Sequence, residues 1–194
     1  RVWKAGLQEN WKRADPVAAF LAATDYAPAI ETHAPGLMEE IRGIAEGAGI
    51  AFADAFAAQL MDEEWRFEAS LADRHHCSSF GQANTGAGRG LIAQNMDLID
   101  WLDGFQTLLR IKDDAAGRET LVLTFAGMIG LCGVNSAGLG VCVNTLSSLN
   151  GSRDGLPVSC VARCLLERET YDSAVAFLAA VPHASGQNYI VGDG

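Results

Sequence analysis

The chemistry in this sequence concentrates on Arg74-His75-His76-Cys77-Ser78-Ser79-Phe80. Cys77 stands where an acidic, helix-periodic stretch ends and a glycine-punctuated strand pattern begins. If the His76–Cys77 peptide bond is cut, Cys77 carries a thiol nucleophile and a free α-amino group on one residue. With an ordinary pKa of about 7.7–8.0, that amine accepts a proton near neutral pH. Nucleophile and base then sit together, which is what acyl transfer through cysteine requires. Uncut, Cys77 reads as a small residue at the start of a strand.

Gln94-Asn95-Met96-Asp97 follows one strand later. A hairpin from Cys77 to Asp97 returns both strand ends to one edge. There Asp97 can bond the α-ammonium or orient the thiol, and Asn95 supplies a neutral donor. Asn144 closes the strand pattern Val141-Cys142-Val143-Asn144. It reads equally as a donor to a developing oxyanion and as a turn residue. Ser78 and Ser79 lack the positioned histidine that a serine nucleophile needs, so local hydrogen bonding is expected of them.

The remaining candidates read as structural. Asp62, Glu63 and Glu64 form a charge run of the kind that usually makes a solvated face. Arg74, His75 and His76 read as an accessible linker, although His76 can orient the junction bond. Cys160 and Cys164 lie four apart on a helix face without a second pair or a histidine at zinc spacing, and read as core residues. The glycines from 127 to 140 lack a Gly-Lys-Ser/Thr ending and a following helix, so tight hairpins and close sheet packing are expected rather than a phosphate loop.

The elements that must position these residues change character at Cys77. Helical periodicity predicts helices over 7–13, 15–26, 36–47 and 52–67, with Asp15-Pro16 as cap and first helical position. Beyond Cys77, strands are expected at 77–83, 90–95, 105–112, 119–126, 130–135 and 139–144, with turns at Thr85-Gly86, 113–117 and 135–138. Helices at 157–168 and 171–180 and a strand from Gln187 complete an antiparallel meander. The order implies a layered α+β fold with the sheet covered on both sides.

At 194 residues and 49% apolar content the chain can bury a substantial core. A formal charge of -10 argues against nucleic acid or an anionic membrane as partner. No apolar run reaches the roughly 18 residues of a membrane span. Five cysteines, an odd set, point to free thiols in a reducing compartment, hence a cytoplasmic expectation.

Five stretches carry a resemblance: Glu39-Glu40-Ile41-Arg42-Gly43-Ile44-Ala45-Glu46-Gly47, Cys77-Ser78-Ser79-Phe80, Gln94-Asn95-Met96-Asp97, Gly133-Val134-Asn135-Ser136-Ala137-Gly138-Leu139 and Asn188-Tyr189-Ile190-Val191-Gly192-Asp193-Gly194. In this order the sequence resembles the acyl-coenzyme A:isopenicillin N acyltransferase family, a branch of the N-terminal-nucleophile (Ntn) hydrolases. The resemblance implies an α+β fold of the Ntn αββα four-layer sandwich type, of which this chain holds part. Residues 1–76 are then a helical pro-segment or small subunit, and 77–194 the N-terminal part of the catalytic domain. It implies self-cleavage at His76–Cys77, Cys77 as nucleophile and Asp97 as support for its amine. Similarity to bile-salt and penicillin V amidases places Asn144 at the oxyanion hole, and Gln94 and Asn95 are the expected substrate-binding residues. Those amidases carry Arg where this chain has Gln94, which argues against bile-salt specificity. The junction here is His–Cys, whereas the fungal acyltransferase cuts at Gly–Cys. The family continues past the position of Gly194, so later Asn and Arg site residues and much of the second sheet are expected outside these residues.

The expected function is that of an amide hydrolase or acyltransferase working through an acyl-cysteine. Its substrate is a small-molecule amide or acyl thioester, with no metal or organic cofactor, and the cleaved pro-segment stays as a small subunit. An uncleaved inactive zymogen and a non-catalytic binding protein are the alternatives, and a homo-oligomer is left open.

Overall fold

The computed structural model describes residues 2–12, 14–67, 77–83, 90–146 and 148–193. The expected linker Arg74-His75-His76 and the turn at Thr85-Gly86 lie outside the described residues. The chain begins with helices α1 (Val2–Trp11), α2 (Pro16–Ala23), α3 (Ala27–His33), α4 (Pro35–Ala48), α5 (Phe52–Ala57) and α6 (Met61–Phe67). Asp15 caps α2 by accepting the Ala18 N–H at 3.1 Å, with Pro16 in the first turn. α4 buries Leu37, Met38, Ile41 and Ala45 and ends at Gly49, whose φ of 62° closes the helix in the left-handed conformation.

Two of the expected helices are divided. The stretch 15–26 stops at Ala23, and a separate α3 begins with Pro28 in its first turn, where a proline cannot continue a preceding helix. The stretch 52–67 breaks between α5 and α6 at Gln59, whose side chain is fully buried and bonded to a distant loop.

The described residues form seven strands, β1 (Cys77–Gln82), β2 (Leu91–Met96), β3 (Gln106–Asp113), β4 (Arg118–Phe125), β5 (Cys132–Asn135), β6 (Gly140–Thr145) and β7 (Gln187–Gly192). α7 (Val158–Leu166) and α8 (Tyr171–Ala180) separate β6 from β7 in sequence. β1 and β2 form a hairpin, and β3 to β7 form an antiparallel sheet in sequence order. This is a mixed α+β structure built on the expected meander. The glycine-rich stretch makes the β5–β6 hairpin, with Gly138 at φ 92° in its turn. Asn135 binds this turn to the end of α7, donating to Leu166 O and Arg168 O and accepting from the Ala137 and Leu139 N–H groups.

Alternation along β6 and β7 decides what each face meets. α7 packs on β5 and β6, and α8 on β7. On the other face the hairpin lies over β6 and β7, where Ile92 approaches so closely that a Cβ at Gly140 would meet its Cδ1 at 2.8 Å and one at Gly192 its Cγ2 at 3.1 Å. The hairpin is two strands wide, so it cannot also cover β3 to β5. Leu108, Leu123 and Val134 on that face remain 63%, 46% and 43% exposed. The sheet is therefore covered on one face by helices and on the other only in part.

The acidic run is not a solvated face. Asp62, Glu63 and Glu64 are 5%, 1% and 1% exposed, because the helical block docks on the β-rich part through this segment. Asp62 accepts from Thr145 and Gln187, Glu63 from Val158 N–H and Ser185, and Gln59 bridges Gly127 and Ile129. Above them Arg163 makes a two-pronged ion pair with Glu40 at 2.7 and 2.8 Å. The buried apolar residues form one cluster that runs from Leu7, Phe20 and Ile41 to Val122, Val141 and Leu165. Among the described residues no helix is long and apolar enough to cross a membrane.

Candidate functional site

Cys77 opens β1 directly opposite Met96, one residue before Asp97. The expected hairpin therefore returns Cys77 and Asp97 to one edge. The inward side of this hairpin carries Cys77 and Ser79 from β1 and Ile92, Gln94 and Met96 from β2, as the period of two requires. Burial pushes the half-buried Cys77 thiol above its ordinary range. Bonds from the Asp97 backbone N–H and the Gln94 side chain pull it down, while the charges of Asp62 and Asp97 push it up again. In the uncut chain Cys77 is thus a predominantly neutral thiol.

Asp97 is exposed and accepts from Asn95 Nδ2 at 3.0 Å. The two form a pair beside the thiol, with Asp97 reaching it through its backbone N–H. Gln94 has a sheet-bridging place: its Oε1 accepts the Val143 N–H at 3.0 Å and its Nε2 donates to Val143 O. One side chain thus pins the hairpin to β6 while also touching the thiol.

Asn144 lies within β6, registered against Asn188 on β7, and is buried. This excludes the turn reading. Its Oδ1 accepts from Ser79 Oγ and from Asn188 Nδ2, which turns the Nδ2 end into the one that can donate to an oxyanion. The Ser79 bond spans the two sheets, so the expectation of local bonding for this serine is corrected. Cys77 and Ser79 are two residues apart on one strand face, about 7 Å, and Asn144 is thereby brought to the thiol's neighbourhood.

A cavity of about 510 Å³ opens beside β2, walled by Met96, Leu98, Leu102, Leu123, Phe125 and Leu131, with Gln94 and Asn95 on its border. A second, about 830 Å³, lies between the hairpin and the sheet around Ile92 and Cys132. Both reach Gln94, and their volumes suit a small organic ligand. His76 lies outside the described residues, so its expected part at the junction has no geometry here. Cys160 and Cys164 are buried core residues of α7, as expected.

Three residues near the thiol carry little signal in sequence. Ser79 and Asn188 become recognisable only when strand register places them opposite Asn144. Asp62 is hidden inside an acidic run, and only tertiary docking buries it. Burial holds its carboxyl up to about 6, against bonds from Thr145 and Gln187 that favour ionisation. Glu63, buried beside it and repelled by its charge, is pushed up to about 7.

The model of the acyl-coenzyme A:6-aminopenicillanic acid acyl-transferase family matches residues 84–194, beginning after β1 and taking in β2 to β7. The match spans more than half of the chain and takes in Gln94, Asn95, Asp97 and Asn144. The chain belongs to this family, and with it to enzymes of the acyltransferase and hydrolase type.

Proposed function

We propose that the protein is a cysteine amide hydrolase or acyltransferase, made as a precursor that cuts itself at His76–Cys77. The observation that carries this reading is the placement of Cys77 at the open end of the hairpin, its thiol bonded by Asp97 N–H and Gln94, with Asn144 held by Ser79 two residues along the same strand face. After cleavage the thiol proton passes to the free α-amino nitrogen, and the thiolate adds to the carbonyl carbon of an amide or thioester. The oxyanion takes a hydrogen bond from Asn144. The leaving amine takes the proton back from the ammonium, or the thiol leaves in the thioester case, and an acyl-cysteine remains. Water or an amine then attacks, releases the acyl group and restores the thiol. The cut also puts a positive charge beside sulfur, opposing the burial and carboxylate effects that hold the uncut thiol neutral.

In this reading the hairpin and the five-stranded sheet are parts of the two central layers of an αββα sandwich, and residues 1–76 form the small subunit. The same neutral thiol favours a second reading, an isolated chain that is uncut and inactive. Intact mass separates them: a processed protein gives fragments starting at Arg1 and at Cys77. Turnover is measured with acyl p-nitroanilides of graded chain length and acyl thioesters. Cys77→Ala is expected to remove both processing and turnover while keeping the fold. A folded Cys77→Ala protein that still hydrolyses these substrates refutes the assignment.

A further inference from the structure

We infer that Asp62, contributed by the segment before Cys77, is a positioning residue of the Cys77 site, tying together the ends of β6 and β7 one rung from Asn144 and Asn188. The inference rests on the reading of Cys77 as nucleophile. Asp62 Oδ1 accepts from Thr145 Oγ1 at 3.1 Å and Oδ2 from Gln187 Nε2 at 3.2 Å. Thr145 and Gln187 are registered partners, and the neighbouring rung is Asn144 with Asn188. One buried carboxylate therefore clamps the sheet next to the amide that Ser79 orients.

The clamp continues sideways. Gln187 Nε2 also donates to Ser185 Oγ at 3.0 Å, and Ser185 donates to Glu63 Oε1 at 2.7 Å. Glu63 in turn takes the Val158 N–H at the start of α7. The site is thus assembled from both sides of the His76–Cys77 bond.

Asp62 also has an electrical consequence for the thiol. Among the described residues, groups that feel its charge include Glu63 on its own helix, Tyr189 on β7 and Cys77 on β1. An ionised Asp62 raises the Cys77 thiol, whereas a protonated one does not. Because Asp62 titrates near 6, the reactivity of Cys77 carries a signature of Asp62 at that pH.

The test is alkylation of Cys77 by iodoacetamide from pH 5 to 9, read by peptide mass on the purified full chain. In the wild type the logarithm of the rate rises with a slope below one around pH 6, where Asp62 gains its charge. Asp62→Asn removes the low-slope region around pH 6 and alkylates Cys77 faster than the wild type at pH 8. Losing that charge lowers the thiol pKa and raises the thiolate fraction by more than it lowers the intrinsic nucleophilicity of sulfur. Thr145→Val breaks the tie but keeps the charge: the low-slope region moves to higher pH, without faster alkylation at pH 8. Asp114→Asn, in the distant β3–β4 turn, changes nothing. A wild-type profile of unit slope through pH 5–7 overturns the inference even if Asp62→Asn does not fold, as does equal acceleration by Thr145→Val. Amide turnover by Cys77→Ala, measured separately, judges the nucleophile assignment independently.

Discussion

Glu63 offers the sharpest single-residue experiment. One of its oxygens accepts the Val158 N–H at 3.2 Å and the Ser185 hydroxyl at 2.7 Å, while the other is buried with no partner among the described residues. Its carboxyl is held up to about 7 against an ordinary 4.5, by burial first and the charge of Asp62 second. A group raised on folding binds more protons in the folded state. The stability it contributes is therefore complete below about pH 4.5 and is lost as pH climbs through about 7. Glu63→Gln keeps the bonded oxygen and removes the titrating charge. The expected result is a variant close to wild type at pH 5 and more stable at pH 8, by on the order of 2 kcal/mol or about 4–8 °C in Tm. Thermal denaturation at the two pH values checks it; a Gln variant equally destabilised at both shows that ionised Glu63 stabilises the fold.

At the scale of elements, Gln59 explains why one predicted helix is two. Its Nε2 donates to Ala55 O at 2.8 Å and Gly127 O at 2.7 Å, its Oε1 accepts the Ile129 N–H at 2.8 Å, and its own carbonyl accepts from Ser159. Gln59→Leu preserves volume but leaves Gly127 O and Ile129 N–H buried without their partner, which costs on the order of 3 kcal/mol. The urea midpoint is expected to fall with an unchanged slope, and an unchanged midpoint counts against the role given to this side chain. The β elements and α7–α8 were legible because alternation and apolar periodicity are local to each segment, and the positions of Cys77, Asp97 and Asn144 followed from them. Neither the α5–α6 break nor the burial of Asp62 and Glu63 was legible. Ala-rich sequence favours continuous helix, and an acidic run favours solvent, until partners more than 60 residues away at Ile129, Thr145 and Val158 supply the bonds that reverse both preferences. Pro28 was a readable stop, and ending the second helix before it would have found α3.

At the scale of the whole molecule, the question is what a cut at His76–Cys77 would release. Apolar side chains from both sides of Cys77 share one core. Polar ties cross the same boundary as well, among them Glu40 to Arg163, Gln59 to Gly127 and Ile129, Asp62 to Thr145 and Gln187, and Glu63 to Val158 and Ser185. Arg163 is 6% exposed, and losing Glu40 would leave a buried guanidinium without its carboxylate, a change that costs on the order of 3–5 kcal/mol. An interface with a continuous core and buried charge pairing behaves as an obligate one. The expected outcome is that a cut protein runs as a single species on native size exclusion, although denaturing mass spectrometry resolves two fragments. If the chain is isolated uncut, a specific protease site inserted between Ser70 and Asp73 supplies the cut. Glu40→Ala should weaken the association, so that the N-terminal fragment leaves at a lower urea concentration than from the parent. Free elution of the N-terminal fragment from the unmodified sequence, without denaturant, would mean that the docking through Asp62 and Glu63 depends on chain continuity and not on the contacts themselves.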